Sequence, residues 1–87
     1  MLEQYIGEKV VIDLNSPFVC LGTLLRIDEH TMELKNADLH DLRDTETTRE
    51  IYVAESRSTG IKRNRKRVMI FRRDVVAVSR LEDVVDD

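Results

Sequence analysis

Eight of the fourteen lysines and arginines of this 87-residue chain lie between Ser56 and Arg73: Arg57, Lys62, Arg63, Arg65, Lys66, Arg67, Arg72 and Arg73. No carboxylate interrupts them. Cations at this density hold phosphates through charge-assisted hydrogen bonds and released counterions, with strong salt dependence. The other six positive residues share the rest of the chain with all seventeen acidic ones, so the net charge of −3 hides a local field able to steer a polyanion. The alternative is that Lys62 to Arg67 is a solvated loop, or that it pairs with Asp44, Glu46 and Glu50 across the same hairpin or on a neighbour.

Bond-making chemistry has fewer candidates. His30 and His40 are the only histidines. Asp38 and His40, two apart on a strand, point the same way and have Asp28, Glu29 and Asp41 nearby, which allows a weak metal site but lacks the closely spaced ligands of a structural one. No nucleophile has an attendant base, and three glycines leave no phosphate-cradling loop. The chain therefore reads as non-catalytic, with no metal and no cofactor. Cys20, the single cysteine, sits between Val19 and Leu21 and cannot form an internal disulfide. Buried packing is its expected use, with a reactive or metal-bound thiol as the alternative. No stretch approaches the ~20 apolar residues of a membrane span, and the first residues lack the form of a signal peptide, which points to the cytoplasm.

The elements that position these residues follow from periodicity. At 87 residues, 41% apolar and 36% charged, the chain is expected to be one domain, 1–87. Leu2, Tyr5 and Ile6 fall at helical spacing before Gly7, which predicts a short helix that must dock on something larger. Val10, Ile12 and Leu14 alternate through a first strand over Glu8 to Leu14, and Asn15, Ser16 and Pro17 make a turn. A second strand, Phe18 to Ile27, is apolar on both faces and carries Gly22, where a barrel strand bends. A third runs from Thr31 to His40. Met32 and Leu34 share one face there and Ala37 and Leu39 the other, which predicts a bulge or sharp bend near Asn36. Residues about 42–67 are an elaborated loop in which Glu50 to Ala54 alternates again, Glu50 to Glu55 either extending the fourth strand or forming a separate hairpin with the third, and Ser58 to Gly60 breaks before the basic run. Val68 to Phe71 and Val75 to Ser79 are two short strands, and 82–87 is an acidic tail expected to fray. A short helix and five strongly bent strands describe a mainly β, small open barrel.

The run Gly22-Thr23-Leu24-Leu25-Arg26-Ile27-Asp28 followed by Met32-Glu33-Leu34 resembles the first Sm motif, and Val68 to Ser79 is similar to the second in strand pattern and spacing. Leu2, Tyr5-Ile6-Gly7 and Val10 also look like the helix and first strand of the Sm-like (LSm and Hfq-type) family. That resemblance implies an Sm-like barrel, a ribonucleoprotein role and a homo-oligomeric ring. It also implies a uridine pocket at positions occupied here by Thr31, Glu33 and Phe71, with Arg72 where the family has glycine. Glu33 repels phosphate and Phe71 offers only a stacking face, so the implied site is an altered one.

The ring has a physical basis in the strands. Such a barrel leaves the last two with free backbone edges, and neither carries the proline or inward lysine that blunts an edge. The expected interface comprises Val68, Met69, Ile70, Phe71, Val75, Val76 and Val78, and head-to-tail pairing closes when the rotation divides a full turn, for which the resemblance implies roughly five to seven copies. A ring would multiply Lys62, Arg63, Arg65, Lys66 and Arg67 into a positive crown. Two functions follow: a ring binding single-stranded RNA through this loop and the altered pore, or a homo-oligomeric scaffold for proteins that has lost the pocket. Neither involves a membrane.

Overall fold

The computed structural model describes residues 1–85. Five strands, β1 (Lys9–Leu14), β2 (Phe18–Ile27), β3 (Thr31–Asp41), β4 (Arg65–Phe71) and β5 (Val75–Arg80), form one antiparallel sheet in the order β4-β3-β2-β1-β5. β4 and β5 are therefore its two outer strands. They are joined by a single 3-10 turn, Arg72–Asp74, yet do not pair, so the barrel stays open between them.

The expected N-terminal helix is shorter and tighter than its spacing suggested, a 3-10 turn at Leu2–Tyr5. Gly7 ends it with a φ of +88°, the left-handed conformation that glycine adopts without Cβ strain. The Gly7 N–H donates to the Leu24 carbonyl at 2.8 Å and the Leu24 N–H to Glu8 at 3.0 Å, which fastens the segment to β2. Tyr5 packs on the barrel core, under the Arg80 guanidinium at 4.7 Å.

The bend predicted near Asn36 is present on both strands. Asn36 has a φ of +50°, and the β2–β3 register moves from Leu21 opposite Asp38 to Thr23 opposite Lys35, which leaves Gly22 without a partner in that ladder. The inward face of β3 thereby switches from Met32 and Leu34 to Ala37 and Leu39. A Cβ on Gly22 would lie 3.0 Å from the Ala37 Cβ and 3.1 Å from its Cα, so a side chain there would force the strands apart by a few tenths of an ångström.

Two cores share the sheet. Inside the barrel lie Val10, Ile12, Cys20, Leu24, Met32, Leu34, Ala37 and Ile70. On the other face of β1 and β2, Val11, Val19 and Leu21 pack with Val53 and Leu81. The second core exists because the segment expected as a strand over Glu50 to Ala54 is instead helical, within α1 (Arg49–Thr59). Thr48 caps α1 by accepting the Ile51 N–H at 3.2 Å, and Gly60, at φ +98°, closes it with an N–H to the Ser56 carbonyl. Arg49, Tyr52, Val53 and Ser56 then fall on one side at helical spacing, a period that the five residues Glu50 to Ala54 were too few to exclude.

The elaborated loop thus holds a helix, and β4 starts within its last residues, at Arg65. Asp41 caps the 3-10 turn Leu42–Asp44, and its hydrogen bonds from the Arg43 side chain and backbone hold the carboxyl down to about 2. At the C-terminus, Leu81–Asp83 forms a further 3-10 turn. Leu81 and Val84 pack into the second core, so the expected fraying does not hold there, and the last two residues of the tail lie outside the described ones. Among the described residues no helix is long and apolar enough to cross a membrane.

Candidate nucleic-acid interface

Strand alternation decides what β3 and β4 offer to solvent. Met32, Leu34 and Ile70 turn into the barrel, at 1%, 0% and 6% exposure. Thr31, Glu33 and Lys35 therefore turn outward, opposite Phe71, Met69 and Arg67 of β4. Phe71 and Met69 are half exposed. The Arg73 guanidinium lies 5.6 Å from the Phe71 ring centroid, so a positive charge already sits beside the one exposed aromatic face on this strand.

Three of the residues singled out by resemblance, Thr31, Glu33 and Phe71, are thus brought together on one face. Two features change what that face can do. The Glu33 carboxylate is held between Arg26 Nε at 3.0 Å and Arg67 Nη1 at 3.3 Å, one from each flanking strand. Arg72 donates its side-chain Nη1 to the Asp28 carbonyl at 2.8 Å and its backbone N–H to His30 at 2.8 Å. It therefore clasps the β2–β3 turn to the start of the β4–β5 connection.

Lys62, Arg63, Arg65, Lys66 and Arg67 are all exposed. Their path is set by Asn64, whose side-chain carbonyl accepts the Leu39 N–H at 3.0 Å while its amide donates to the Leu39 carbonyl at 3.0 Å. That amide imitates a strand neighbour and leads the chain from α1 back into the sheet. Arg63 donates to Asn36 Oδ1 at 2.5 Å, Arg65 to the Asn64 carbonyl at 3.1 Å, and Arg67 to Glu33. Among the described residues none of the five pairs with Asp44, Glu46 or Glu50, and Lys62 and Lys66 have no ionic partner.

The seven expected interface residues divide by the same alternation. Val68, Ile70, Val75 and Val78 serve the barrel core, whereas Met69, Phe71 and Val76 remain exposed, Val76 at 68%. Beside the open edge of β4 lies a mainly apolar groove of about 340 Å³, bounded by Leu14, Phe18, Leu39 and Ile70.

Asp38 and His40 do point the same way, but at an aromatic ring. Asp38 accepts a hydrogen bond from the Tyr52 hydroxyl, and His40 stacks on Tyr52 with centroids 4.1 Å apart and planes 9° from parallel. Among the described residues no three His, Cys, Asp or Glu side chains are grouped to hold a metal ion. Cys20 is buried, and desolvation, followed by the nearby Asp38 charge, pushes its thiol up to about 12, as suits a packing residue. Sequence reasoning missed Tyr52, Asn64, Arg26 and Lys35. The two-sided apolarity of β2 was the one available signal that a further element, and with it Tyr52, had to cover the sheet.

No family model and no curated protein matches the chain. Solved structures do. The Pyrococcus abyssii Sm protein, determined in complex with a uridine heptamer, superposes with a TM-score of 0.62 at 17% identity, covering 91% of this chain and 90% of that one. A chain of the NatC complex bound to CoA superposes with a TM-score of 0.59 at 16% identity, covering 90% of this chain and 80% of its own. With five antiparallel strands in this order, a short N-terminal turn and an unclosed barrel, the chain has the Sm-like fold.

Proposed function

We propose that copies of this chain pair β4 with β5 of a neighbour to form a ring, and that the ring binds single-stranded RNA without catalysing a reaction. The observation that carries the RNA reading is the outward side of β3 and β4, where Phe71 and Thr31 share a face with Arg67 at the end of the exposed run Lys62 to Arg67, and where Glu33 is the one carboxylate bonded to that run among the described residues. Stacking on an aromatic and tracking of the backbone by cations are the two contributions that single-strand binders combine. That an Sm protein of the same fold holds a uridine heptamer supports the choice of ligand. The ring reading is supported by two outer strands with unpaired backbone edges, by the apolar groove beside β4 and by Val76 standing exposed on β5.

The test is a titration of fluorescent oligouridylate and oligoadenylate at two salt concentrations, with the assembly mass measured in parallel. Changing Lys62, Arg63, Arg65, Lys66 and Arg67 together to glutamine is expected to abolish binding and leave the mass unchanged. An unchanged affinity would refute the assignment. A second reading, a homo-oligomeric scaffold for proteins, is favoured by the likeness to a chain of the NatC complex and by an altered pocket. It prevails if the mass is that of a ring and RNA does not bind even at low salt.

A further inference from the structure

Arg26, Glu33 and Arg67 stand side by side on β2, β3 and β4. Arg26 is the cross-strand partner of Glu33, and Arg67 is two pairs along on the opposite side, facing Lys35. The two arginine side chains are 67% and 62% exposed, while the carboxylate between them is only 20% exposed. Such convergence of two guanidiniums on one oxyanion is the arrangement that binds a phosphate, because carboxylate and phosphate offer a guanidinium the same pair of oxygens. We propose that Arg26 and Arg67 form a phosphate site that Glu33 occupies from within, so that the chain carries its own competitor for the nucleic-acid backbone.

The charge count makes this consequential. Lys35 is exposed beside the pair, and Arg65 and Lys66 lie next along β4, so Glu33 is the single negative group bonded into this strip among the described residues. Exposed ion pairs are weak and are screened by salt, which lets an incoming phosphate take the place of Glu33 instead of being excluded by it. The cost of that exchange is paid in apparent affinity. The contact therefore sets how tightly, and with what salt dependence, a strand is held along β4.

This inference rests on the RNA reading for its ligand but not for its chemistry, and two probes keep them apart. The full chain and Glu33→Gln are titrated with oligouridylate and with inorganic polyphosphate, which has no base, over a range of salt. The variant is expected to bind both probes more tightly. Its log affinity should fall with log salt more steeply by about 0.7, from the one further phosphate neutralised at the site. Arg26→Gln and Arg67→Gln together should erase that gain in the Glu33→Gln background. Thermal melting within a few degrees of the parent verifies that the surface change leaves the fold intact. If Glu33→Gln leaves slope and affinity for both probes unchanged, or if its gain survives loss of both arginines, the site is refuted. If polyphosphate responds as described and RNA binds neither protein, the phosphate site stands and the RNA reading falls.

Discussion

Tyr52→Phe decides whether α1 is fastened to the sheet by a polar bond or by apolar packing alone. The substitution keeps the ring that stacks on His40 and removes only the hydroxyl that donates to Asp38. Asp38 is 6% exposed, and among the described residues no other group donates a hydrogen bond to its side chain. A carboxylate left buried without its donor costs about 2–3 kcal/mol, toward the upper end for a hydrogen bond to a charged group. For a domain of this size that lowers the melting temperature by roughly 4–8 °C per kcal/mol. The assay is thermal and urea unfolding followed by circular dichroism at one fixed protein concentration, since any self-assembly adds to apparent stability. Asp38→Leu combined with Tyr52→Phe removes both partners and should recover most of the loss. The phenol has a second signature. Burial, and then the bond to Asp38, push its ionisation well above the ordinary range in the fold. The unfolded chain therefore releases that proton first, and stability present below about pH 10 is lost as pH rises further. Tyr52→Phe should flatten this alkaline decline. A variant within about 0.5 kcal/mol of the parent at neutral pH would refute the buried bond and leave packing as the sole fastening.

Gly22→Ala should destabilise by about 1–3 kcal/mol, because the new methyl meets the Ala37 backbone at 3.1 Å and backbone yields less than a flexible side chain; a urea midpoint equal to the parent's would remove the close-approach argument. Cys20 should stay inert to a thiol reagent at pH 8 until the chain unfolds. Its raised value in the fold also means that stability present below the ordinary thiol value near 9 falls by about 1.4 kcal/mol per pH unit up to about 12, and rapid labelling of the folded protein would contradict the burial. Val76→Lys places a charge on a residue 68% exposed, so the circular dichroism spectrum should be unchanged while native mass drops toward that of one chain; a retained large assembly would show that β5 is not the contact.

Periodicity made most of the barrel legible. β1 falls where alternation placed it and β2 and β5 where apolar runs did, and the slip from Met32 and Leu34 to Ala37 and Leu39 announced the bend at Asn36 because a strand cannot change faces without an extra residue. α1 was hidden because Ile51, Tyr52 and Val53 are apolar at consecutive positions, which fits a short strand as well as a helix, and because its docking face includes the polar Arg49 and Ser56. The Arg49 guanidinium is held by Asp13 of β1 at 2.8 Å, a partner 36 residues away that no local window contains. The candidate surface was legible in composition and not in pairing. The basic run is plain in the sequence, but the bonds from Arg26 and Arg67 to Glu33 depend on the register of three strands.

The second core also explains where a ligand surface remains. In a barrel whose outer face is bare, every strand would offer outward side chains. Here α1 and the Leu81 turn cover that face over β1 and β2, and the acidic residues Asp13 and Asp38 beneath them are used by Arg49 and Tyr52. What stays open is the outward side of β4 and of the first half of β3, Thr31 to Lys35, and the two unpaired edges. The exposed cations lie on the first and the exposed Val76 on the second. Docking of α1 thereby leaves the half-exposed Met69 and Phe71 together with charge on the β4 face, and Val76 at the edge. Loosening α1 by Tyr52→Phe should consequently act first on stability. Removing Glu33 should act first on the proposed phosphate binding, since among the described residues its carboxylate is bonded only to exposed arginines.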